Sequence, residues 1–156
     1  MPGPIVAATG VSHIALRVTD VERAIAWYGD VLGYEVLWNG HAPTPDRTRS
    51  AMGLICGGAL ALEVLETPGG RAWSADHLGV AGISITVPDI AAAVAAFNAR
   101  AHGQQTRVFE AQDWKVAFLF DPDRNVVEMV EQPGGVASIA AFAPVLRQRR
   151  DDAASR

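Results

Sequence analysis

The sequence predicts an α+β fold of two tandem βαβββ modules, and three observations predict it. The stretch "GVSHIALRVTDVERAI" at 10–25 returns in the same rhythm as "GVAGISITVPDIAAAV" at 79–94, with Gly82 standing where the first copy has His13. The apolar helix positions Val21, Ile25, Tyr28 and Leu32 each recur 69 positions later, as Ile90, Val94, Phe97 and Ala101. Each copy is then succeeded by three short apolar runs of strand length. A duplication of this kind sets the architecture before any motif is weighed.

The first module spans 1–66. "HIALRV" alternates as a half-buried strand, with His13, Ala15 and Arg17 on one face and Ile14, Leu16 and Val18 on the other. Asp20 is an N-cap, Glu22 favours the first turn, and Gly33 is a left-handed C-cap. "YEVLW", "RSAMGLIC" and "ALALEVLE" read as strands, separated by a loop at 39–47 and by a tight turn at Gly57-Gly58. The turn-rich segment 67–78, "TPGGRAWSADHL", suits a linker.

The second module spans 79–133, with strand "GISITV", a helix from Asp89 to about Ala101, and strands "QTRVFE", "KVAFLF" and "NVVEMVE". "DPDRN" at 121–125 is a turn in which Pro122 presets φ, and Arg124 is strained there if its position needs φ > 0. The extension 134–156 ends in "RQRRDDAASR", a solvated and partly disordered tail.

Composition narrows the function classes. A net charge of −4 argues against nucleic acid as a partner, because phosphate recognition needs clustered Lys and Arg on a folded face. No apolar run is long enough to span a bilayer and no signal peptide opens the chain, so a cytoplasmic location is expected. Cys56, the single cysteine, excludes an internal disulfide and any multi-cysteine metal site, and reads as a small buried strand residue.

"HIALRVTDVERAIAWYGDVLGYEV", "ALALEVLE" and "FLFDPDRNVVEMVE" resemble the signature segments of the vicinal oxygen chelate superfamily, over roughly residues 8–133. That family includes glyoxalase I, methylmalonyl-CoA epimerase, extradiol dioxygenases and bleomycin- or fosfomycin-resistance proteins. The resemblance implies that the two modules curl into an open mixed barrel around a metal, with ligands from the first and last strand of each module. Those positions here are His13, Glu63, Gly82 and Glu128.

An imidazole and two carboxylates suit a divalent ion such as Fe, Ni, Mn, Co or Zn, and leave coordination positions for a chelating substrate. His13, Glu63 and Glu128 are therefore the expected metal ligands, with Glu128 and then Glu63 as the catalytic carboxylates. Arg17, Ser84 and Thr86 on the inward faces, and Trp114 at a strand end, are the expected substrate contacts. Trp38 and Trp73 would add an aromatic mouth, whereas Trp27 belongs to the core. His77 would have to fold back to replace the missing ligand, and His41 and His102 read as exposed.

The departure at Gly82 disfavours the dioxygenase and fosfomycin-resistance branches, which use a second His there. The expected function is thus a metal-dependent lyase or isomerase, glyoxalase- or epimerase-like, acting on a small carbonyl or hydroxy-carbonyl compound through an enolate. The alternatives are a metal-free antibiotic-type binding or resistance protein, a metal-free enzyme using the same acid and base groups, and a ring-cleaving dioxygenase. The partner is a small molecule, with no nucleic acid and no membrane, and the resemblance favours a homodimer.

Overall fold

The structure is a computed structural model, and it describes residues 11–43, 49–58, 60–72, 74, 79–100, 103–111 and 114–132. Trp73, His77, His102 and the extension 134–156 lie outside the described residues. The chain divides into two compact units, Met1–His77 with Asp121–Asn125, and Leu78–Phe120 with Val126–Arg156.

The first unit contains β1 (Ile14–Val18), α1 (Val21–Leu32), β2 (Glu35–Pro43), β3 (Arg49–Gly57) and β4 (Leu60–Glu66). Its sheet runs β1-β4-β3-β2, with β1 and β4 parallel and the other pairs antiparallel. Asp20 caps α1 by accepting from the Arg23 N–H at 2.9 Å, and Gly33 ends it at φ 69°, a left-handed turn that glycine adopts without a Cβ clash.

The amphipathic period of α1 buries Val21, Ala24, Trp27 and Tyr28 against the sheet face formed by Leu16, Val18, Ile55, Leu62 and Val64. Each of these large apolar side chains contributes about 1.5–3 kcal/mol through burial. The helix sits directly on β3 because Gly53 has no side chain, and a Cβ there would stand 2.6 Å from Ile25 Cδ1.

The second unit contains β5 (Ile83–Thr86), α2 (Ile90–Ala99), β6 (Phe109–Ala111), β7 (Trp114–Phe120) and β8 (Val126–Glu131). The order β5-β8-β7-β6, with β5 parallel to β8, repeats the first sheet. Asp89 caps α2 through the Ala92 N–H, as Asp20 caps α1. Ile83, Ile90, Phe97, Ala117, Leu119, Val127 and Met129 form the buried layer. The expected α+β architecture of two βαβββ units is thus present, with two open-edged mixed sheets and one helix for each.

Some boundaries differ from the sequence reading. His13 and Gly82 stand immediately before β1 and β5 rather than within them. Strand β2 continues through Asn39–Pro43, where a loop was expected, because this edge segment pairs with Arg49–Gly53 after a register shift between Val36 and Trp38. Polar residues and a terminal proline are tolerated on a strand whose outer side faces solvent.

Strand β6 holds only the end of "QTRVFE". Before it, side chains replace the ladder: Asn98 exchanges bonds with Thr106 N and O, and Gln104 exchanges bonds with Phe120 N and O. The segment after β4 is held as a turn, with Thr67 N donating to Val18 O at 2.7 Å and Gly70 N to Thr67 O at 3.0 Å. Among the described residues, no helix is long and apolar enough to cross a membrane.

Candidate functional site

In each sheet, alternation sends one row of side chains into the core and leaves the other row on the opposite face. In the first unit that opposite face carries Ala15, Glu63, Leu54 and Trp38 side by side, through the pairs Ala15↔Glu63, Leu54↔Glu63 and Trp38↔Leu54. Glu63 is flanked along β4 by fully buried Leu62 and Val64, so its carboxylate is directed away from the helix. His13, two residues before Ala15, meets it, with Nε2 3.3 Å from Glu63 Oε2. Ser12 Oγ lies 3.2 Å from His13 Nδ1. The structure therefore brings two of the expected ligands together in this unit.

The second unit repeats the register. Ser84 pairs with Glu128 and Glu128 with Phe118, so Glu128 occupies the place relative to β5 that Glu63 has relative to β1. Its partner differs. With no side chain at Gly82, the Ser84 hydroxyl donates a hydrogen bond to Glu128 Oε2.

Nor could the missing ligand be restored by substitution alone. A Cβ on Gly82 would lie 2.7 Å from Val126 O and 2.9 Å from Val126 Cβ. The close strand approach that the glycine permits leaves no room for a side chain at position 82 unless β5 or β8 moves. Thr86 and Trp114 lie on the same face as Ser84 and Phe118, by strand alternation. Exposed Phe109 and Phe118 meet on this face, with centroids 6.1 Å apart, and the Arg107 guanidinium stacks over Phe109 at 4.8 Å.

The chemistry of the donors fits a divalent ion at the His13–Glu63 pair, since an imidazole and a carboxylate at this spacing suit Mn, Fe, Ni, Co or Zn alike. Within either unit, no group of three or more His, Cys, Asp or Glu side chains is gathered among the described residues. Arg17 lies further along the face from His13 and donates from Nη1 to Thr67 Oγ1 at 3.1 Å. Cys56 is a free, half-buried thiol in β3.

Sequence reasoning missed the roles of two turns. Asp121 is buried and accepts from Tyr28 OH, Asp123 N, and the backbone and side-chain N–H groups of Asn125. Burial holds its carboxyl above the usual aspartate range, against the opposing pull of those hydrogen bonds. Burial and the neighbouring Asp121 push the Tyr28 phenol up as well.

Asp123 accepts from Thr19 N at 3.0 Å, from Thr19 Oγ1 at 2.5 Å and from Arg23 Nη2 at 3.0 Å, which locks the turn onto the start of α1. Together with Thr67, Gly70, Arg71, Ala72 and Ser74, this turn borders a cavity of about 640 Å³. The signal in the sequence was only a pair of Gly/Pro/Asp turns, whose meeting is a tertiary fact.

A family profile described as the Glyoxalase/Bleomycin resistance protein/Dioxygenase superfamily matches residues 10–129. No curated protein matches the chain. Among solved structures, a glyoxylase/bleomycin resistance protein/dioxygenase domain from Frankia sp. EAN1pec superposes with a TM-score of 0.65 at 24% identity, covering 81% of this chain and 99% of that one.

The trypanothione-dependent glyoxalase I of Leishmania major gives a TM-score of 0.64 at 20% identity, covering 96% and 100%. A variant of the fosfomycin resistance protein FosX from Listeria monocytogenes, complexed with Mn(II) and 1S,2S-dihydroxypropylphosphonic acid, gives 0.60 at 13% identity, covering 88% and 99%. At these identities the likeness establishes the fold.

Proposed function

The chain belongs to the Glyoxalase/Bleomycin resistance protein/Dioxygenase superfamily, and on that premise we propose that it is a metal-dependent lyase or isomerase of the glyoxalase and epimerase kind. Its substrate is a small carbonyl or hydroxy-carbonyl compound. The observation that carries this reading is the His13–Glu63 pair, 3.3 Å apart on the face of the first sheet that the helix leaves open.

His13 and Glu63 are the ligands that the first unit offers, and Glu128 is the carboxylate that the second unit offers. When bound, a divalent ion supplies electrophilic polarisation of a substrate carbonyl. The chain's own groups handle the proton. The Ser84 hydroxyl fixes Oε2 of Glu128, which leaves the other carboxylate oxygen to accept a proton from carbon and return it. Arg17, Thr86 and Trp114 are the groups available to orient the substrate.

The test is elemental analysis of the full chain purified without a metal-affinity tag, then thermal unfolding with Mn, Fe, Co, Ni and Zn added singly. One ion per chain, or a clear rise in melting temperature that His13→Ala and Glu63→Gln abolish, is expected. A protein that carries no ion and gains no stability from any of the five refutes the metal reading.

A second reading, a metal-free binding protein for aromatic small molecules, is favoured by two observations. A side chain at Gly82 would clash with Val126, and the second unit's glutamate is engaged by Ser84. It predicts quenching of tryptophan fluorescence by an aromatic ligand in the presence of a chelator.

A further inference from the structure

The geometry points to an anion-binding pocket at the C-terminal ends of β1 and β4, built by Arg17 and Arg71, which takes the phosphate or carboxylate headgroup of a small organic anion. The cavity of about 640 Å³ has the size of a metabolite site and includes neither His13 nor Glu63 in its wall. Its polar lining comes from Arg17, Arg71, Thr19, Thr67, Ser74 and Asn125.

Charge decides what it attracts. Among the described residues the one acidic side chain in the wall is Asp123, and its carboxylate is already committed to Thr19 and to Arg23, which forms its ion pair at 3.0 Å. Among the described residues neither Arg17 nor Arg71 has a carboxylate partner, and the bond Arg17 makes goes to the neutral Thr67 hydroxyl. Two guanidinium groups lining one concave space favour an oxyanion there, and their forked N–H geometry matches phosphate and carboxylate oxygens.

The wall is also held in place before anything binds. Asn125 Nδ2 donates to Arg17 O at 3.2 Å, Thr67 N donates to Val18 O at 2.7 Å, and Asp123 clamps Thr19. Such fixed walls lower the ordering cost of binding. Arg17 stands four residues beyond His13, so calling the occupant the charged end of the substrate rests on the enzymatic reading above. The binding itself does not, because it is measured without metal and without turnover.

The experiment is calorimetric titration of the full chain, in low-salt buffer with a chelator, against inorganic phosphate, phosphoglycolate and succinate. Saturable binding of at least one probe is expected, weakened by added salt and by about tenfold or more in Arg71→Gln and Arg17→Gln. Preference for phosphate or for succinate identifies the headgroup.

Arg71 is exposed and forms no ion pair among the described residues, so Arg71→Gln keeps its fold and decides the matter if Arg17→Gln is destabilised. Absence of binding by all three probes up to about 10 mM overturns the pocket. So does binding that Arg71→Gln leaves unchanged. A chain without metal or turnover that still binds the anion refutes the enzymatic reading alone.

Discussion

Replacing Gly82 with alanine adds one methyl group at the point where the chain has departed from the four-ligand pattern. The new Cβ would lie 2.7 Å from Val126 O and 2.9 Å from Val126 Cβ, well inside the usual separation of about 3.5–4 Å for non-bonded carbon atoms. Neither neighbour is the loose end of a flexible side chain. One is backbone, and the other is the branch point of the first residue of β8.

Relief requires the start of β5 to move away from β8 by several tenths of an ångström, against the Ile83↔Val127 pairing. Overpacking of this kind costs about 1–3 kcal/mol. With a urea m-value near 2 kcal/mol/M, the midpoint should fall by roughly 0.5–1.5 M at constant m.

Gly29→Ala is the matched control. Its Cβ would meet only Tyr34 O, at 3.5 Å, and it lies inside α1, where alanine is favoured over glycine by about 0.5–1 kcal/mol. One chemical change should therefore move stability in opposite directions at the two sites. A Gly82→Ala chain as stable as the parent, while Gly29→Ala is stabilised, would show that β5 and β8 do not approach as described. It would also reopen position 82 to a ligand.

Three further outcomes are expected. Arg124 holds φ 71°, a left-handed conformation costing a non-glycine residue about 1–2 kcal/mol, so Arg124→Gly should gain about 0.5 kcal/mol after the entropy of glycine is subtracted, which raises the urea midpoint by roughly 0.25 M. Asp121→Ala leaves Tyr28 OH, Asp123 N and Asn125 N without their acceptor, and should cost about 3 kcal/mol in the same assay. Asp121 also sets a pH dependence. Its folded pKa is raised, so the stability it contributes is present below about pH 4 and is lost as pH rises through the folded value. Unfolding midpoints of Asp121→Asn should therefore fall less than those of the parent between pH 4 and 7, and parallel curves would contradict the assignment.

Much of the fold was legible because its signals are local. Asp20 and Asp89 each cap the turn immediately C-terminal to them, and the recurrence of Val21, Ile25, Tyr28 and Leu32 as Ile90, Val94, Phe97 and Ala101 survives without knowledge of any contact. The stripe was imperfect in detail, since Ala24 and Trp27 are buried while Ile25 is half-buried over Gly53. The continuation of β2 through "NGHAP" was not legible, because those residues have weak strand propensity and become a strand by pairing with β3. The shortening of β6 was hidden for the converse reason. Asn98 and Gln104 satisfy from their side chains the backbone groups that a longer strand would have paired.

By itself the sequence determined the two-module plan, the caps, the faces of their own strands on which Glu63 and Glu128 lie, and the absence of a side chain at Gly82 where the first module has His13. These come from period, residue type and duplication, which are properties of neighbours along the chain.

The tertiary structure alone decided that His13 engages Glu63 while Ser84 engages Glu128, and that a side chain at Gly82 would meet the Val126 carbonyl. It alone brought Arg17, Arg71 and Asn125 to the wall of one cavity. Those outcomes depend on strand register and on which turns meet, and residues far apart in sequence carry no local mark of the partner that will sit a few ångströms away.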